Sequence, residues 1–360
     1  NRTTLKGQSQ RMFISIIGTP QSGKTTLFNA LKGSAGNGNG SPSVRIEVPD
    51  GRIDALAKIF TPRKTTYSRL DVADTAAIRE GELKAETLDA KSLQQIRQSD
   101  AVLLVLRHFD NGHAADPAGD FRRIQGEFIL ADMVQTEGRL ERLRKQNALK
   151  PQPALQQEQA LLEQCLAHLE AGSPLATLAL SSEGDKKIRG FLFLSRKPMM
   201  AVVSCVEEQI SEVETIASQL RERLPRHIPV VAACGQLEAE LAAMAPEEQS
   251  AFMAGYGISE SLRGRIIRLA YDTLGLISFL TVGEDECRAW PIRRGMSAQE
   301  AAATIHTELA RTFIRAETVS YDDFMRLGGF AGCKKAGLWR LEGKSYIVQD
   351  GDILSIRAGG

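Results

Sequence analysis

Apolar and polar positions along the chain follow two rhythms, a strand period of two and a helix period near four, and the way they alternate divides the molecule. Met12-Phe13-Ile14-Ser15-Ile16-Ile17 is a short β-branched run closed by Gly18, and Leu27, Phe28 and Leu31 follow at helical spacing, which predicts strand, loop and helix. Further strands are read at 67–72 and 101–106, with a helix over 82–98 between them. After Pro117 the texture changes. Over 121–145 and 155–170 apolar residues recur at threes and fours among Gln, Glu and Arg, with Pro151 and Pro153 breaking the run, so a helical hairpin is predicted. Strand signals resume at 199–203 and 229–233 around a helix over 211–224. Beyond residue 276 short strands at 279–282, 288–291, 316–319, 346–348 and 352–357 surround one helix over 298–313.

Strands alternating with helices imply an α/β fold whose mostly parallel sheet is covered on both faces. The hairpin then reads as an insertion into that fold, and the C-terminal part as a small α+β module of about 80 residues. The boundaries expected are 1–118 with 197–276 for the α/β domain, 119–196 for the helical insertion and 277–360 for the module. Composition agrees with packed domains: 42% apolar and 25% charged residues exclude collagenous and globally disordered chains. Charge adds a restriction, since 45 Lys and Arg against 44 Asp and Glu leave no global basic field for nucleic acid or anionic membrane. The helical insertion is equally balanced, with 11 basic and 10 acidic residues over 120–196. The longest apolar runs, such as 101–106 and 199–203, fall far below the roughly 18 residues of a membrane span. Lys6, Gln8, Gln10 and Arg11 interrupt anything resembling a signal peptide, so a cytoplasmic protein without a membrane partner is expected. Five scattered cysteines without a CxxC pair read as buried thiols, with no disulfide framework and no zinc site.

Gly18-Thr19-Pro20-Gln21-Ser22-Gly23-Lys24-Thr25 matches the G-x-x-x-x-G-K-[ST] phosphate loop in full. A chance match arises in about 1% of chains this long, and here the string stands between a predicted strand and a predicted helix, as its chemistry requires. Gly18 and Gly23 permit backbone conformations that turn successive N–H groups onto phosphate oxygens, with the N-terminus of the helix behind them. Lys24 is assigned to the β- and γ-phosphates and Thr25 to Mg²⁺, while Gln21, Ser22 and Thr26 complete the nucleotide-binding residues. The second Mg²⁺ carboxylate belongs at the end of a neighbouring strand, where Asp71 closes the run Tyr67-Ser68-Arg69-Leu70.

With these residues in view, the chain resembles the YchF or Obg-like ATPases within the translation-factor class of P-loop GTPases. The resemblance covers nearly the whole chain. It is carried by Leu27-Phe28-Asn29-Ala30-Leu31, Val48-Pro49-Asp50, Leu56-Ala57-Lys58-Ile59, Glu127-Phe128-Ile129-Leu130-Ala131-Asp132 and Leu237-Glu238-Ala239-Glu240-Leu241. In the C-terminal part it is closer still, at Arg288-Ala289-Trp290, Ile305-His306-Thr307, Phe313-Ile314-Arg315-Ala316-Glu317, Ser320-Tyr321-Asp322-Asp323 and Val348-Gln349-Asp350-Gly351-Asp352. The resemblance implies a G domain with an inserted coiled-coil arm and a C-terminal β-grasp-like domain of TGS type. It also implies a cytoplasmic ATPase or GTPase that associates with the ribosome or a ribosomal subunit in translation or stress responses. A hydrophobic residue replaces the water-orienting glutamine in this family, which implies slow hydrolysis of ATP or GTP.

The sequence departs from the family pattern around the nucleotide. Asp74 stands where the Asp-x-x-Gly switch has glycine, Thr75 where leucine is usual, and Gln21 where an asparagine is assigned to potassium. The first switch loop shortens into the glycine-rich stretch 33–42, which reads as mobile and leaves Ser41 or Ser43 as hydroxyl donors. Cys205-Val206-Glu207-Glu208 replaces the family's Asn-x-x-Glu, so Glu208 is the candidate for reading a base edge, with Cys205 beside it. Cys234-Gly235-Gln236 resembles the family's Cys-Ala-Lys and offers backbone N–H groups to the base. His113 lies where the family carries a mobile histidine that assists hydrolysis; read alone, it is a solvated loop histidine. His306 is assigned to structure, and Trp290 and Tyr321 to core packing rather than to stacking on RNA bases, because 278–360 holds 11 basic and 11 acidic residues. Two functions follow: a nucleotide-dependent regulator that hydrolyses its ligand, and an interaction module that binds nucleotide with little or no turnover.

Overall fold

A computed structural model describes residues 12–32, 43–83, 87–112 and 114–359. The chain forms two compact units, one built from Phe13–Val44 and Val72–Ala270, the other from Arg45–Asp71 and Tyr271–Gly360. These units do not separate the helical insertion 119–196, break at 270/271 where 276/277 was expected, and group Arg45–Asp71 with the C-terminal residues. The physical reason is packing: Ile53 and Leu56 are fully buried in one cluster with Leu280, Ala289, Val319 and Ile353.

The larger unit is a parallel sheet wrapped by helices. β1 (Met12–Gly18), β5 (Ala101–Arg107), β6 (Met199–Cys205) and β7 (Val230–Cys234) are parallel neighbours in that order. Every residue of β5 and of β6 is buried, which is why they read as unbroken apolar runs: both faces are covered. On the other side of β1 lies the Val72–Asp74 end of β4 (Ser68–Asp74). The covering helices include α1 (Lys24–Lys32), α3 (Ala90–Gln98), α7 (Val213–Arg223), α8 (Gly235–Ala243), α9 (Pro246–Gly255) and most of α10 (Leu262–Leu274). From the sheet grow α4 (Pro117–Leu149) and α5 (Pro153–Glu170), followed by the short α6 (Ser182–Ile188). Asp116 caps α4 by accepting from Gly119 N at 3.0 Å, with Pro117 in the first turn where its missing N–H costs nothing. The Arg139 guanidinium forks onto Glu158 at 2.7 and 2.9 Å and so ties α5 along α4, over a core that includes Leu140, Leu143, Leu162 and Cys165.

The smaller unit holds β2 (Ser43–Val48) beside the first half of β4, and a second, mixed sheet. That sheet has the order β11-β10-β12-β8-β9-β3, where β3 is Lys64–Thr66, β8 Leu276–Thr281, β9 Glu286–Arg293, β10 Phe313–Ser320, β11 Arg340–Glu342 and β12 Asp352–Ala358. Side chains alternate across it: Ile277 and Phe279 pack with Ala298, Ala301 and Ala302 of α11 (Ala298–Ile305). Leu280 instead joins Ile53 and Leu56 of α2 (Gly51–Phe60) and Phe324 of α13 (Tyr321–Arg326).

The structure differs from several of these expectations. The helix read over 298–313 breaks at His306, whose extended backbone ends α11 and whose Nδ1 caps α12 (Thr307–Arg311) by accepting from Glu308 N at 3.3 Å. The helix read over 82–98 begins only at Ala90, capped by Asp89, and Lys84, Ala85 and Glu86 lie outside the described residues. The strand read at 346–348 is a single bridge between Ser297 and Ile347. The helix α14 (Phe330–Lys335), the edge strand β2 and the helices α2, α8, α9 and α10 were not foreseen. All five cysteines are free and buried, and no helix among the described residues is long and apolar enough to cross a membrane.

Candidate nucleotide site

The registers Gly18↔Val105, Arg107↔Ser204 and Cys205↔Cys234 bring the carboxyl ends of β1, β5, β6 and β7 to one edge of the parallel sheet. Ligands of open parallel sheets bind at that edge, and the loops leaving it carry most of the residues singled out above. After β1 the chain turns sharply, with Ser22 N donating to Thr19 O at 3.3 Å and Leu27 N to Gly23 O at 2.9 Å as α1 begins. Gln21 and Gly23 are left-handed, with φ of 58° and 92°, which curls the loop into the concave form whose N–H groups take anions. The two glycines are set by close approach. A Cβ on Gly18 would lie 2.5 Å from Ser22 Oγ and 2.7 Å from the Val105 carbonyl oxygen, and one on Gly23 would lie 2.5 Å from Ser204 Oγ. The Ser22 hydroxyl is buried and finds no hydrogen-bond partner among the described residues. Gln21 Oε1 accepts from Asn111 Nδ2 at 3.0 Å, and Thr26 is exposed on α1 with its methyl group toward Gly235.

Beside the loop stands Asp74, the last residue of β4. Its Oδ2 accepts from Thr25 Oγ1 at 3.3 Å, and its Oδ1 is buried with no hydrogen-bond partner among the described residues. Burial raises the carboxyl above the usual carboxylate range, while attraction from Lys24 and the Thr25 hydrogen bond pull it back. Past Asp74 the chain is zipped to β1: Ile16 O accepts from both Thr75 N at 3.3 Å and Thr75 Oγ1 at 2.7 Å, and Gly18 O accepts from Ile78 N at 3.0 Å. Thr75 is 5% exposed, so its hydroxyl is committed to the sheet and is not presented to an attacking water.

Hard oxygen donors suit Mg²⁺, and the Thr25 hydroxyl with a free carboxylate oxygen beside it supplies that kind of donor set. Asp71, assigned to the metal from the sequence, instead accepts at Oδ1 from Arg45 Nε at 2.9 Å. His113 lies outside the described residues, as does the stretch 33–42.

In the base loops, Cys205 and Cys234 stand side by side in register and both are buried. Burial, with Cys234 adding to it, pushes the Cys205 thiol up to about 12, so it remains a neutral thiol. Glu208 is exposed in the turn after β6, while its neighbour Glu207 accepts from Tyr256 Oη at 3.1 Å. Gly235 opens α8 and is buried. Trp290 is 7% exposed, donates to Thr281 Oγ1 at 2.9 Å and stacks on Phe279, with the Arg288 guanidinium 3.8 Å from its ring centre. It is a core residue, unavailable to an RNA base.

Sequence reasoning missed three contributors. Asp74 stood out as a departure from a pattern, but its contact with Thr25 joins residues 49 apart. Asn111 had a signal, since it shares the loop of His113. Glu127, buried on α4, accepts from Gly81 N at 2.6 Å and Leu83 N at 3.1 Å and so holds the segment that follows Asp74. Only its place in a quoted motif hinted at a role.

Residues 13–134 match the MMR_HSR1 family, described as a 50S ribosome-binding GTPase, and residues 276–359 match the YchF-GTPase_C family, described as a protein of unknown function. A Bacillus subtilis protein named ribosome-binding ATPase YchF is 36% identical over 358 residues, covering 95% of this chain and 98% of that protein. A Haemophilus ducreyi protein of the same name is 38% identical over 356 residues, with coverage of 95% and 98%. Among solved structures, the Schizosaccharomyces pombe YchF GTPase superposes with a TM-score of 0.81 at 26% identity, over 98% of this chain and 99% of that one. A P-loop at the carboxyl edge of a parallel sheet, a helical pair grown from that sheet and identity of this extent along nearly the whole chain leave one conclusion: the chain belongs to the YchF family.

Proposed function

We propose that the chain binds a nucleoside triphosphate with Mg²⁺ at residues 18–25, hydrolyses ATP or GTP slowly, and works as a ribosome-associated regulator in the cytoplasm. The observation that carries this reading is the phosphate loop itself, with Gly18 and Gly23 at positions where an added Cβ would come within 3 Å of its neighbours, and its nest opening at the carboxyl edge of the sheet. Lys24 would meet the terminal phosphates. Thr25 would hold the metal with the Asp74 carboxylate beside it, while Asp71, the carboxylate expected from the sequence, is paired with Arg45, and the bound metal would neutralise phosphate charge. Gly235 and the Cys234 backbone would frame the base, with Glu208 the side chain free to read its edge and His113 the histidine assigned to assist hydrolysis. Ribosome association is supported by the names of the relatives, each a ribosome-binding ATPase.

Mg²⁺-dependent turnover tests the reading. In Lys24→Ala it falls at least about tenfold, whereas turnover unchanged by that substitution belongs to a contaminant and sinks the proposal. Co-sedimentation with ribosomal subunits at several salt concentrations tests the partner, and absence at all of them removes it. A second reading, a nucleotide-binding interaction module with little turnover, is favoured by one observation: the Thr75 hydroxyl is buried and donates to Ile16 O, so it does not face the site.

A further inference from the structure

We infer that the smaller unit carries a second binding site, a pocket for a free α-amino acid with an apolar side chain, between the β10 and β12 strands of its sheet and Trp339. The pocket has a volume of about 220 Å³, below the roughly 300 Å³ at which drug-sized sites begin. Register sets its floor. Val319 pairs with Ile353 and Glu317 with Ser355 across β10 and β12, and alternate residues of a strand share a face, so the floor runs from two buried apolar side chains to a carboxylate and a hydroxyl. Val282, Phe330 and Trp339 line the pocket and pack against the same core cluster as Val319 and Ile353. At the polar end the Arg357 guanidinium forks onto Glu317 at 3.0 and 3.1 Å. An apolar slot that ends in one anion and one cation has the outline of an amino acid, with its side chain at one end and its α-ammonium and α-carboxylate at the other.

The ion pair at the polar end is one that a ligand can open. Arg357 is more than half exposed, and exposed pairs contribute little to stability. A zwitterion inserted between the partners leaves no charge unpaired: its carboxylate takes the fork of Arg357 and its ammonium takes the Glu317 carboxylate, which gives two ion pairs in place of one. Arg315 and Lys334 add attraction on Glu317, so cations outnumber the acid at this end and favour a ligand that brings a carboxylate. The aromatic wall is not built to stack a nucleobase. Phe330 stands at 77° to Trp339 with ring centres 4.9 Å apart, and the Lys334 ammonium lies over the Trp339 ring 4.5 Å from its centre. The indole is therefore a packed wall for an apolar side chain and not an open platform for a base.

The test is a calorimetric titration of L-leucine, L-valine and L-phenylalanine into the full chain, followed by glycine and by the N-acetyl and amide forms of the tightest binder. At least one of the three is expected to bind with a Kd between about 10 μM and 1 mM, the range open to so small a ligand. Glycine, which lacks the side chain, the N-acetyl form, which lacks the ammonium, and the amide, which lacks the carboxylate, each bind at least about tenfold more weakly. Ser355→Trp fills the slot from its floor and Arg357→Gln removes the fork, and each weakens the tightest binder at least about tenfold. Both positions are exposed, so either substitution leaves the fold in place, and urea midpoints compared with the wild type check this. Absence of binding by all three up to about 10 mM, or affinity unmoved in both variants, overturns the inference. An N-acetyl form that binds as tightly as the free amino acid overturns it too, and makes the pocket one for a carboxylate alone, such as the C-terminus of a peptide.

Discussion

Lys197 shows how one buried charge writes a pH dependence into this fold. Its ammonium, on a residue 9% exposed, donates to the carbonyl oxygens of Arg97 at 2.7 Å and Ser99 at 2.6 Å, closing the end of α3. Burial pushes the amine down to about 8, only partly offset by Asp100. The folded state therefore holds fewer protons than the unfolded chain between about pH 8 and about pH 10.5, so stability from this group rises with pH across that window. Below it, the cost of the buried ammonium is felt in full. Lys197→Met removes both the cost and the two hydrogen bonds, leaving two carbonyls short of donors at roughly 1–3 kcal/mol. The wild type is expected to gain stability relative to Lys197→Met as urea unfolding is moved from about pH 7.5 to about pH 10, and a gap that stays constant refutes the assignment.

Between elements, the informative contact is Glu127, which reaches from α4 to Gly81 N and Leu83 N. The first half of α4 packs Phe121, Ile124 and Phe128 into the sheet core, and its later turns pack against α5, so one rigid helix carries both the sheet and the arm. Movement of the Asp74–Ile78 segment on nucleotide exchange would reach that helix through Glu127. Glu127→Gln leaves one N–H facing an amide donor, and hydrogen bonds to a charged acceptor are worth about 1.5–3 kcal/mol. Amide exchange at 81–83 should then speed up at least about tenfold while β5 keeps its protection; unchanged exchange at 81–83 removes the coupling. The same contact explains what the sequence could show and what it could not. The strands β1, β5 and β6 and the phosphate loop are legible because period, burial and motif lie within seven or eight consecutive residues. Residues 82–98 read as one helix, yet the N–H groups of Gly81 and Leu83 are served by Glu127, 46 and 44 residues away, and no local pattern encodes that. Strand β2 hides for a different reason: only Ile46 and Val48 of its six residues are buried, and Arg45 and Glu47 face outward to pair with Asp71 and Arg69.

At the scale of the molecule, the smaller unit joins two parts of the chain that look unrelated in sequence. The short motif ending in Asp50 and the late motif ending in Asp352 meet at Arg52, whose guanidinium forks onto Asp50 at 2.9 and 2.8 Å and reaches Asp350 at 2.9 Å. Asp50 also caps α2 by accepting from Arg52 N at 3.0 Å, and Asp350 accepts from Ser278 N at 2.8 Å, so two acids and one base fix α2, β8 and the turn before β12. Gly351 completes the fit: its φ is +81°, and a Cβ there would lie 3.1 Å from Arg52 Nη1. Contacts of this span cost loop-closure entropy before they return anything, so residues 45–71 gain their partners only once the C-terminal strands are in place. The network is also why charge counts along the chain said nothing of it: the acids are spent on one arginine and on backbone donors inside the unit. Arg52→Ala should destabilise the chain by about 1–3 kcal/mol, since it leaves Asp50 and Asp350 facing one another without their shared cation. Asp350→Ala alone removes one arm and the Ser278 contact. In the double variant Arg52→Ala with Asp350→Ala, urea midpoints should fall short of the sum of the single losses by at least about 0.5 kcal/mol. Strict additivity would mean that the arginine serves Asp50 alone and that the two distant motifs stand together without being coupled.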